Sequence, residues 1–183
     1  SQLKEWDAYT IAKEPVSSIA LMERAATACV NWICKNFRPE DTPLTIFCGK
    51  GNNGGDGLAI ARLLLKKQFK PTVYIVSDDS DAGSEDFELN LQELRKISSR
   101  IFLVGSSDLL PLLQDGSIVL DALFGTGLNK PLEGVFAAIV QQINATNTTV
   151  ISIDIPSGMY ADKSSKGLNR IKANYTLSFQ QYK

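Results

Sequence analysis

The chain has 183 residues, a net charge of −1 and an apolar fraction of 44%, which fits one globular domain without a basic surface for nucleic acid or acidic membranes. It contains no histidine, which excludes Ser-His-Asp hydrolysis and ordinary zinc sites and leaves proton transfer to Asp, Glu, Lys, Tyr, Cys or water. No apolar run approaches the ~20 residues of a membrane span, and the three cysteines indicate reduced core thiols in a cytoplasmic protein.

The predicted elements begin with two helices and continue as alternating strands and helices. A short polar helix is expected at 3–14, and a longer one from Ile19 to about Asn36, capped by Ser17 or Ser18. Six strand-length apolar runs follow at 44–48, 72–76, 101–104, 117–120, 150–153 and 174–178, and most are separated by segments predicted as helical at 54–69, 84–97, 107–114 and 131–144. Continuous apolar strands between helices are typical of a parallel sheet buried on both faces.

This alternation predicts one α/β domain over 1–183, with N-terminal helices at 3–36 and an α/β core at 44–178. The sequence starts where a helix is about to begin and stops just past a strand. We therefore expect either a fragment of a longer chain or disordered tails at its ends.

The most informative stretch is the glycine-rich turn after the first predicted strand. It reads GKGNNGGDG over 49–57 and opens a helix, so bare backbone N–H groups and a positive helix end meet at one point, which suits an anionic ligand. Its first six residues match the dinucleotide pattern G-x-G-x-x-G, and Asp78 and Asp79 follow where a ribose-binding acid would stand. Taken alone, this pattern predicts an NAD(P)-dependent oxidoreductase. Two features weaken that prediction, because the chain has no length left for a substrate domain and polar side chains fill 52–56.

Three predicted strands end in polar, glycine-bearing loops, at 49–57, 121–131 and 154–158. A single loop of this kind is more often a structural turn or a helix cap. Because parallel strands end at one edge of a sheet, we expect the three loops to meet around one pocket. Asn53, Asp121 and Ser157 offer oxygen ligands with one negative charge, which suits a monovalent cation better than Mg²⁺ or Zn²⁺. From spacing alone, this cation site is only a hypothesis.

Three long motifs then identify a family. They are GKGNNGGDGL from Gly49, VLDALFGTGLNKPL from Val119 and SIDIPSG from Ser152. In this order and spacing, and together with SIALMERA at 18–25, they resemble the YjeF N-terminal domain family, the NAD(P)H-hydrate epimerases, over nearly the whole chain. The resemblance implies a Rossmann-like three-layer α/β sandwich with a mostly parallel sheet. It also implies an epimerase that interconverts the R and S forms of hydrated NADH and NADPH (NADHX and NADPHX) at C6 of the nicotinamide ring.

The resemblance further implies site residues. Substrate contacts are implied for Asn52, Asn53, Gly54, Gly55, Asp56, Gly125, Thr126, Gly127, Leu128, Asn129, Lys130, Pro131 and Asp154. The implied K⁺ ligands are Asn53, Asp121 and Ser157. Epimerisation at this carbon needs an acid and a base and no redox step, and without histidine Asp154 and Lys130 are the candidate catalytic residues. Solvation or a surface salt bridge is the competing interpretation of Lys130.

The resemblance also implies partners. Many bacterial members continue into an NAD(P)HX dehydratase, so we expect this chain to act with such a domain or protein. A homodimer through the N-terminal helices is expected, with no nucleic-acid or membrane partner. The main alternative function is a non-catalytic nucleotide-binding or dimerisation module, which the intact Asp121 and Asp154 argue against. A preference between NADHX and NADPHX does not follow from the sequence.

Overall fold

A computed structural model describes residues 17–40, 43–78, 82–106 and 108–179. The predicted helix at 3–14 and Asp79 lie outside the described residues. The described chain alternates helices and strands in the order α1 (Ser18–Asn36), β1 (Leu44–Cys48), α2 (Asn52–Lys66), β2 (Thr72–Val76), α3 (Glu85–Arg95), β3 (Ile101–Val104), β4 (Ile118–Ala122), α4 (Gly134–Ala145), β5 (Thr149–Ile153) and β6 (Tyr175–Leu177).

The six strands form one sheet in the order β3-β2-β1-β4-β5-β6. Every neighbouring pair is parallel, because each return to the same edge is made through a crossover rather than a tight hairpin. This is the doubly wound strand order, in which the winding direction reverses between β1 and β4. The predicted Rossmann-like α/β fold is therefore confirmed, and the described strands are parallel throughout.

Two hydrophobic cores, one on each face of the sheet, make the molecule three layers thick. On one face, apolar side chains of α1, α2 and α3, such as Ile33, Leu58 and Leu94, pack against the sheet. On the other face, α4 packs through Ile139 and neighbouring residues, which is the apolar stripe expected of a half-buried helix. None of the described helices combines the length and the hydropathy that crossing a bilayer requires.

One predicted element is wrong. The sequence pattern predicts a helix over 107–114, but the described part of this segment, 108–114, contains no helix. Pro111 lacks a backbone N–H and disfavours the helical conformation in the residue before it. Leu109 and Leu112 are 95% and 94% exposed, so these two leucines form no apolar stripe against the sheet. As a consequence, the connection from β3 to β4 is irregular.

Candidate functional site

The loops after β1, β4 and β5 meet at one edge of the sheet. The three strands are neighbours, and Asp121 of β4 stands level with Phe47 of β1 and Ser152 of β5. The N–H of Gly49 donates to the carbonyl oxygen of Ala122 at 3.1 Å. The loop after β4 in turn contacts the loop after β5 through hydrogen bonds of Phe124 and Thr126, described below. The predicted meeting of the three loops at one edge is therefore confirmed, whereas none of residues 154–158 lines the cleft that is described below.

Asp121 is a fully buried carboxylate at the end of β4. Its Oδ1 accepts a hydrogen bond from Ser157 Oγ at 2.5 Å, and its Oδ2 accepts from Ser157 N at 2.9 Å and Ser152 Oγ at 2.7 Å. Burial raises the pKa of Asp121, and the hydrogen bonds from Ser157 and Ser152 partly oppose that rise. No lysine or arginine among the described residues forms an ion pair with it. A buried carboxylate of this kind is stabilised by any positive charge that reaches it.

Asn53 lies in the first turn of α2 and is buried. Neither its Oδ1 nor its Nδ2 has a hydrogen-bond partner among the described residues, an arrangement that costs about 1–3 kcal/mol unless a ligand or water completes it. Together with Asp121 and Ser157, it gives the set of hard oxygen donors with one carboxylate that is predicted for K⁺. The orphaned amide and the buried carboxylate both fit a bound monovalent cation.

Asp154 follows β5 in the left-handed backbone region, with φ at 67°, a conformation that is uncommon outside glycine and is often found at functional sites. Its N–H donates to the carbonyl oxygen of Leu177 at 3.0 Å. Its Oδ2 accepts a hydrogen bond from the N–H of Thr126 at 2.8 Å. A Cβ added to Gly125 would lie 2.7 Å from Asp154 Oδ2 and 3.5 Å from Asn53 Cγ, so Gly125 separates these two side chains with no room to spare.

Ser157 joins the loop after β5 to the loop after β4. Its Oγ accepts a hydrogen bond from the N–H of Phe124 at 2.9 Å, in addition to its contacts with Asp121. Phe124 packs edge-on against Phe136, with ring centroids 4.8 Å apart. This aromatic side chain therefore has a packing role, and it also borders the cleft described below.

Several glycines of 49–57 allow close packing, a role that the sequence pattern does not reveal. A Cβ on Gly54 would lie 1.7 Å from the carbonyl oxygen of Gly49, and one on Gly57 would lie 2.6 Å from the Cβ of Ala122. Gly55 faces Met22 of α1, and a Cβ added to Gly55 would lie 3.2 Å from Met22 Sδ. The start of α2 is thereby pressed against the strand ends, which brings Asn53 to the edge of the sheet.

Comparisons with known proteins decide the family. The model of the family described as YjeF-related protein N-terminus matches residues 18–183. The chain belongs to this family. It is 38% identical over 183 residues to an NAD(P)H-hydrate epimerase of Anaerococcus prevotii, covering 97% of this chain and 82% of the relative.

Two further similarities concern domain organisation and fold. The YjeF-related chain is 33% identical over 186 residues to a bifunctional NAD(P)H-hydrate repair enzyme Nnr of Moorella thermoacetica, covering 98% of this chain and 35% of that protein. The crystal structure of yeast ynu0 (YNL200c) superimposes with a TM-score of 0.81 at 22% identity, over 96% of this chain and 76% of the yeast chain. The yeast structure therefore has the same fold.

In this YjeF-related domain, a cleft of about 660 Å³ opens at the carboxyl ends of β1, β2 and β4. Of the predicted substrate residues, those that line it are Leu128, Lys130 and Pro131. Gly125, Thr126 and Asp154 do not line it, although they follow or contact the loop that does. The buried residues Asn53, Gly54 and Gly55 do not line it either. Asn52, Gly127 and Asn129 are exposed, and Asp56 is half-buried; none of these four lines the cleft.

The cleft also has lining residues that are not among the predicted site residues, including Lys50, Ser77 and Phe136. Lys50 could have been found from sequence, because it lies inside the glycine-rich turn. The N-terminus of α4, at Gly134 and Val135, also borders the cleft. The two lysines and the helix N-terminus suit a phosphorylated ligand, and the same cleft also contains the carboxylates of Asp78 and Glu133.

Proposed function

We propose that this chain is an NAD(P)H-hydrate epimerase that interconverts the R and S forms of NADHX and NADPHX at C6. Membership of the YjeF-related family and the named relatives support this activity. The observation that carries the proposal is the position of Asp154, whose carboxylate accepts a hydrogen bond from Thr126 N–H in the loop after β4, the loop that lines the cleft through Leu128 and Lys130. An acid or base fixed beside a cleft for a phosphorylated ligand is what the reaction needs.

The reaction inverts a carbon that carries a hydroxyl beside the ring nitrogen. If the hydroxyl is protonated, it leaves as water while the nitrogen lone pair forms the C=N bond of an iminium ion. Water then adds to the opposite face and releases a proton. Alternatively, the N1–C6 bond breaks as the hydroxyl loses its proton and N1 gains one, and the resulting aldehyde recloses on its other face. Neither route transfers electrons to an acceptor.

We assign Asp154 as the group that gives and accepts the proton at the C6 hydroxyl. The hydrogen bond from Thr126 fixes one of its oxygens, so the carboxylate keeps one orientation through the cycle. Lys130 is the second proposed proton-transfer group. It is exposed and lines the cleft, where its positive charge would also favour binding of the substrate diphosphate.

We further propose that Asn53, Asp121 and Ser157 hold a K⁺ ion. Two observations support this proposal. The side-chain amide of Asn53 has no hydrogen-bond partner among the described residues, and the carboxylate of Asp121 is fully buried. A bound K⁺ would supply a positive charge that balances Asp121 and favours negative charge in the substrate nearby. The three side chains would fix the loops after β4 and β5 relative to the start of α2.

The remaining substrate contacts are proposed for residues 52–56 and 125–131, with the diphosphate near the cleft lysines. The bifunctional relative supports an NAD(P)HX dehydratase as the partner that consumes the product. We also propose a homodimer through the N-terminal helices and a cytoplasmic location, which analytical ultracentrifugation and cell fractionation test.

A coupled assay tests the activity. A mixture of R and S NADHX is incubated with an S-specific dehydratase and its nucleotide, and NADH is measured by its absorbance. The dehydratase alone should convert only the S fraction, and adding this chain should convert the R fraction as well. If the R fraction stays unconverted beside folded protein, the epimerase proposal is wrong. Binding of NAD⁺ without this conversion would favour the non-catalytic module, and consumption of NADH with an acceptor would favour the oxidoreductase.

A further inference from the structure

We infer that Asp78 makes this site prefer hydrated NADH over hydrated NADPH by binding the 2′-hydroxyl of the adenosine ribose. The identity of the substrate rests on the proposed function. The dinucleotide pattern places Asp78 and Asp79 where a ribose-binding acid would stand, although neither is among the substrate contacts that the family resemblance implies. The structure adds that Asp78 lines the cleft, and Asp79 lies outside the described residues.

The inference rests on the position of Asp78 at the edge of the sheet. It follows the end of β2 at Val76 by two residues, and β2 lies beside β1, with Ile75 level with Cys48. Asp78 and the glycine-rich turn are therefore neighbours at one edge, and Lys50 and Gly51 of that turn line the same cleft. In dinucleotide sites with this strand order, the diphosphate lies at the helix after β1 and an acid near the end of β2 binds the ribose hydroxyl.

A second contact fixes the geometry of this end of the cleft. The N–H of Ser84 donates to the carbonyl oxygen of Lys50 at 2.9 Å, which ties the chain just before α3 to the glycine-rich turn. Ser84 also lines the cleft and caps α3 by accepting a hydrogen bond from Phe87 N at 3.3 Å. Among the described residues that flank 79–81, Asp78 therefore follows the end of β2 by two residues and Ser84 caps α3.

The charges around the cleft indicate which cofactor fits. Among the residues that the structure describes, its charged lining residues are Lys50, Asp78, Lys130 and Glu133. Lys50 and Lys130 belong to the loops after β1 and β4, where the diphosphate is expected, and Glu133 precedes α4. On the described part of the loop after β2, which excludes residues 79–81, Asp78 is the charged residue that lines the cleft. A carboxylate accepts a hydrogen bond from a 2′-hydroxyl and repels a 2′-phosphate, which carries about −1.5 to −2 charges at neutral pH.

The proposed role of Asp78 does not require hydride transfer, the reaction of a dehydrogenase. The adenosine half of a hydrated cofactor is chemically the same as that of the intact cofactor. An acid at the ribose position therefore fits an epimerase as well as it fits a dehydrogenase. What it predicts in both cases is discrimination at the 2′ position of the ribose.

The test compares Asp78→Asn with Glu133→Gln, which removes a negative charge from another side of the same cleft. Dissociation constants of NAD⁺ and NADP⁺ are measured by calorimetry on folded protein, and kcat/KM is measured for NADHX and NADPHX. We expect the wild type to bind NAD⁺ about tenfold or more tightly than NADP⁺, the ratio that about 1.4 kcal/mol gives. Asp78→Asn should remove most of this ratio by improving NADP⁺ binding, and Glu133→Gln should keep it.

A wild type without preference, or one that prefers NADP⁺, overturns the inference. The inference is also overturned if Glu133→Gln lowers the preference for NAD⁺ as much as Asp78→Asn does. The discrimination would then reflect the overall charge of the cleft. Failure of the epimerase proposal can be distinguished from failure of the inference about Asp78. If Asp78→Asn changes the binding ratio but no variant epimerises NADHX, the ribose contact stands and the epimerase proposal falls. If the enzyme epimerises both substrates with equal kcat/KM, only the inference about Asp78 falls.

Discussion

Asp154 combines a left-handed backbone conformation with a carboxylate held by Thr126 N–H. Asparagine tolerates the same backbone conformation and keeps the oxygen that accepts this hydrogen bond, but it cannot transfer the proton. We expect Asp154→Asn to lower the rate of epimerisation by about 10²- to 10⁴-fold without changing the melting temperature. Initial rates with R-NADHX measure this. Asp162→Asn, which changes an exposed aspartate further along the chain, should keep the wild-type rate, and a wild-type rate in Asp154→Asn would contradict the assignment.

The proposed K⁺ site predicts stability that depends on the cation. A ligand that binds only the folded state stabilises it by about 2.7 kcal/mol when its concentration is about 100 times its Kd. The melting temperature should therefore be higher in potassium chloride than in tetramethylammonium chloride of equal ionic strength. Asp121→Asn and Asn53→Ala should remove this difference, whereas Asp115→Asn at an exposed position should keep it. An equal melting temperature of the wild type in the two salts would argue against the site.

The buried thiols predict a pH dependence of stability. Burial, with a smaller contribution from the nearby Asp56 carboxylate, raises the pKa of Cys29 to about 12. Burial and the carboxylates of Asp121 and Asp56 raise the pKa of Cys48 still further. Above the ordinary thiol pKa of about 8.5 the unfolded chain loses protons that the folded chain keeps, so stability is full below that pH and falls as the pH rises.

Urea unfolding between about pH 7.5 and 9.5, which spans the ordinary thiol pKa, measures this slope. Cys48→Ala should make the fall shallower by up to about 1.4 kcal/mol per pH unit, whereas Cys34→Ala should leave it unchanged because Cys34 is exposed. In the native protein at about pH 8, iodoacetamide should modify Cys34 and spare the other two cysteines, since the thiolate is the reactive form. Rapid native modification of Cys48, detected by mass spectrometry, would contradict this account.

At the scale of elements, α2 depends on glycine where it meets the sheet. A Cβ at residue 57 would lie 2.6 Å from Ala122 Cβ and 2.8 Å from Cys48 Sγ, so Gly57→Ala must push the helix away from the strands. We expect it to lower the free energy of unfolding by about 1–3 kcal/mol, as overpacking of a core does. Gly127→Ala is the matched control, because nothing lies within 4 Å of its added Cβ. If urea unfolding gave equal stabilities for the two variants, α2 could move away from the strands without lowering the free energy of unfolding, and the prediction would be wrong.

The elements themselves could largely be predicted from the sequence. Apolar runs such as 72–76 and 101–104 match β2 and β3 because buried parallel strands need continuous apolar residues. Helix α2 begins at Asn52, before the predicted start at residue 54, since asparagine and glycine have low helix propensity and here the packing of the helix against the sheet overrides it. The helix predicted at 107–114 is wrong because its apolar pattern takes no account of Pro111.

At the scale of the whole molecule, the edge that holds the site could be predicted and its contacts could not. Parallel strands that end in polar loops must place those loops together, so the meeting of 49–57, 121–131 and 154–158 followed from topology. The hydrogen bond between Thr126 and Asp154 joins residues that are 28 positions apart, and it depends on loop conformations that no local pattern encodes. For the same reason, the sequence could not distinguish glycines that allow the backbone to pack closely against neighbouring elements from glycines that leave room for a ligand.

The epimerisation itself is tested by following purified R-NADHX by nuclear magnetic resonance in the presence of this chain and no other enzyme. We expect the C6 proton signal of the S form to grow until the two epimers reach equilibrium. The conversion should be much faster than the spontaneous rate, and the same amount of Asp154→Asn should bring it close to that rate. Persistence of the R form at the spontaneous rate beside folded wild-type protein would contradict the claim that these three loops form one epimerisation site.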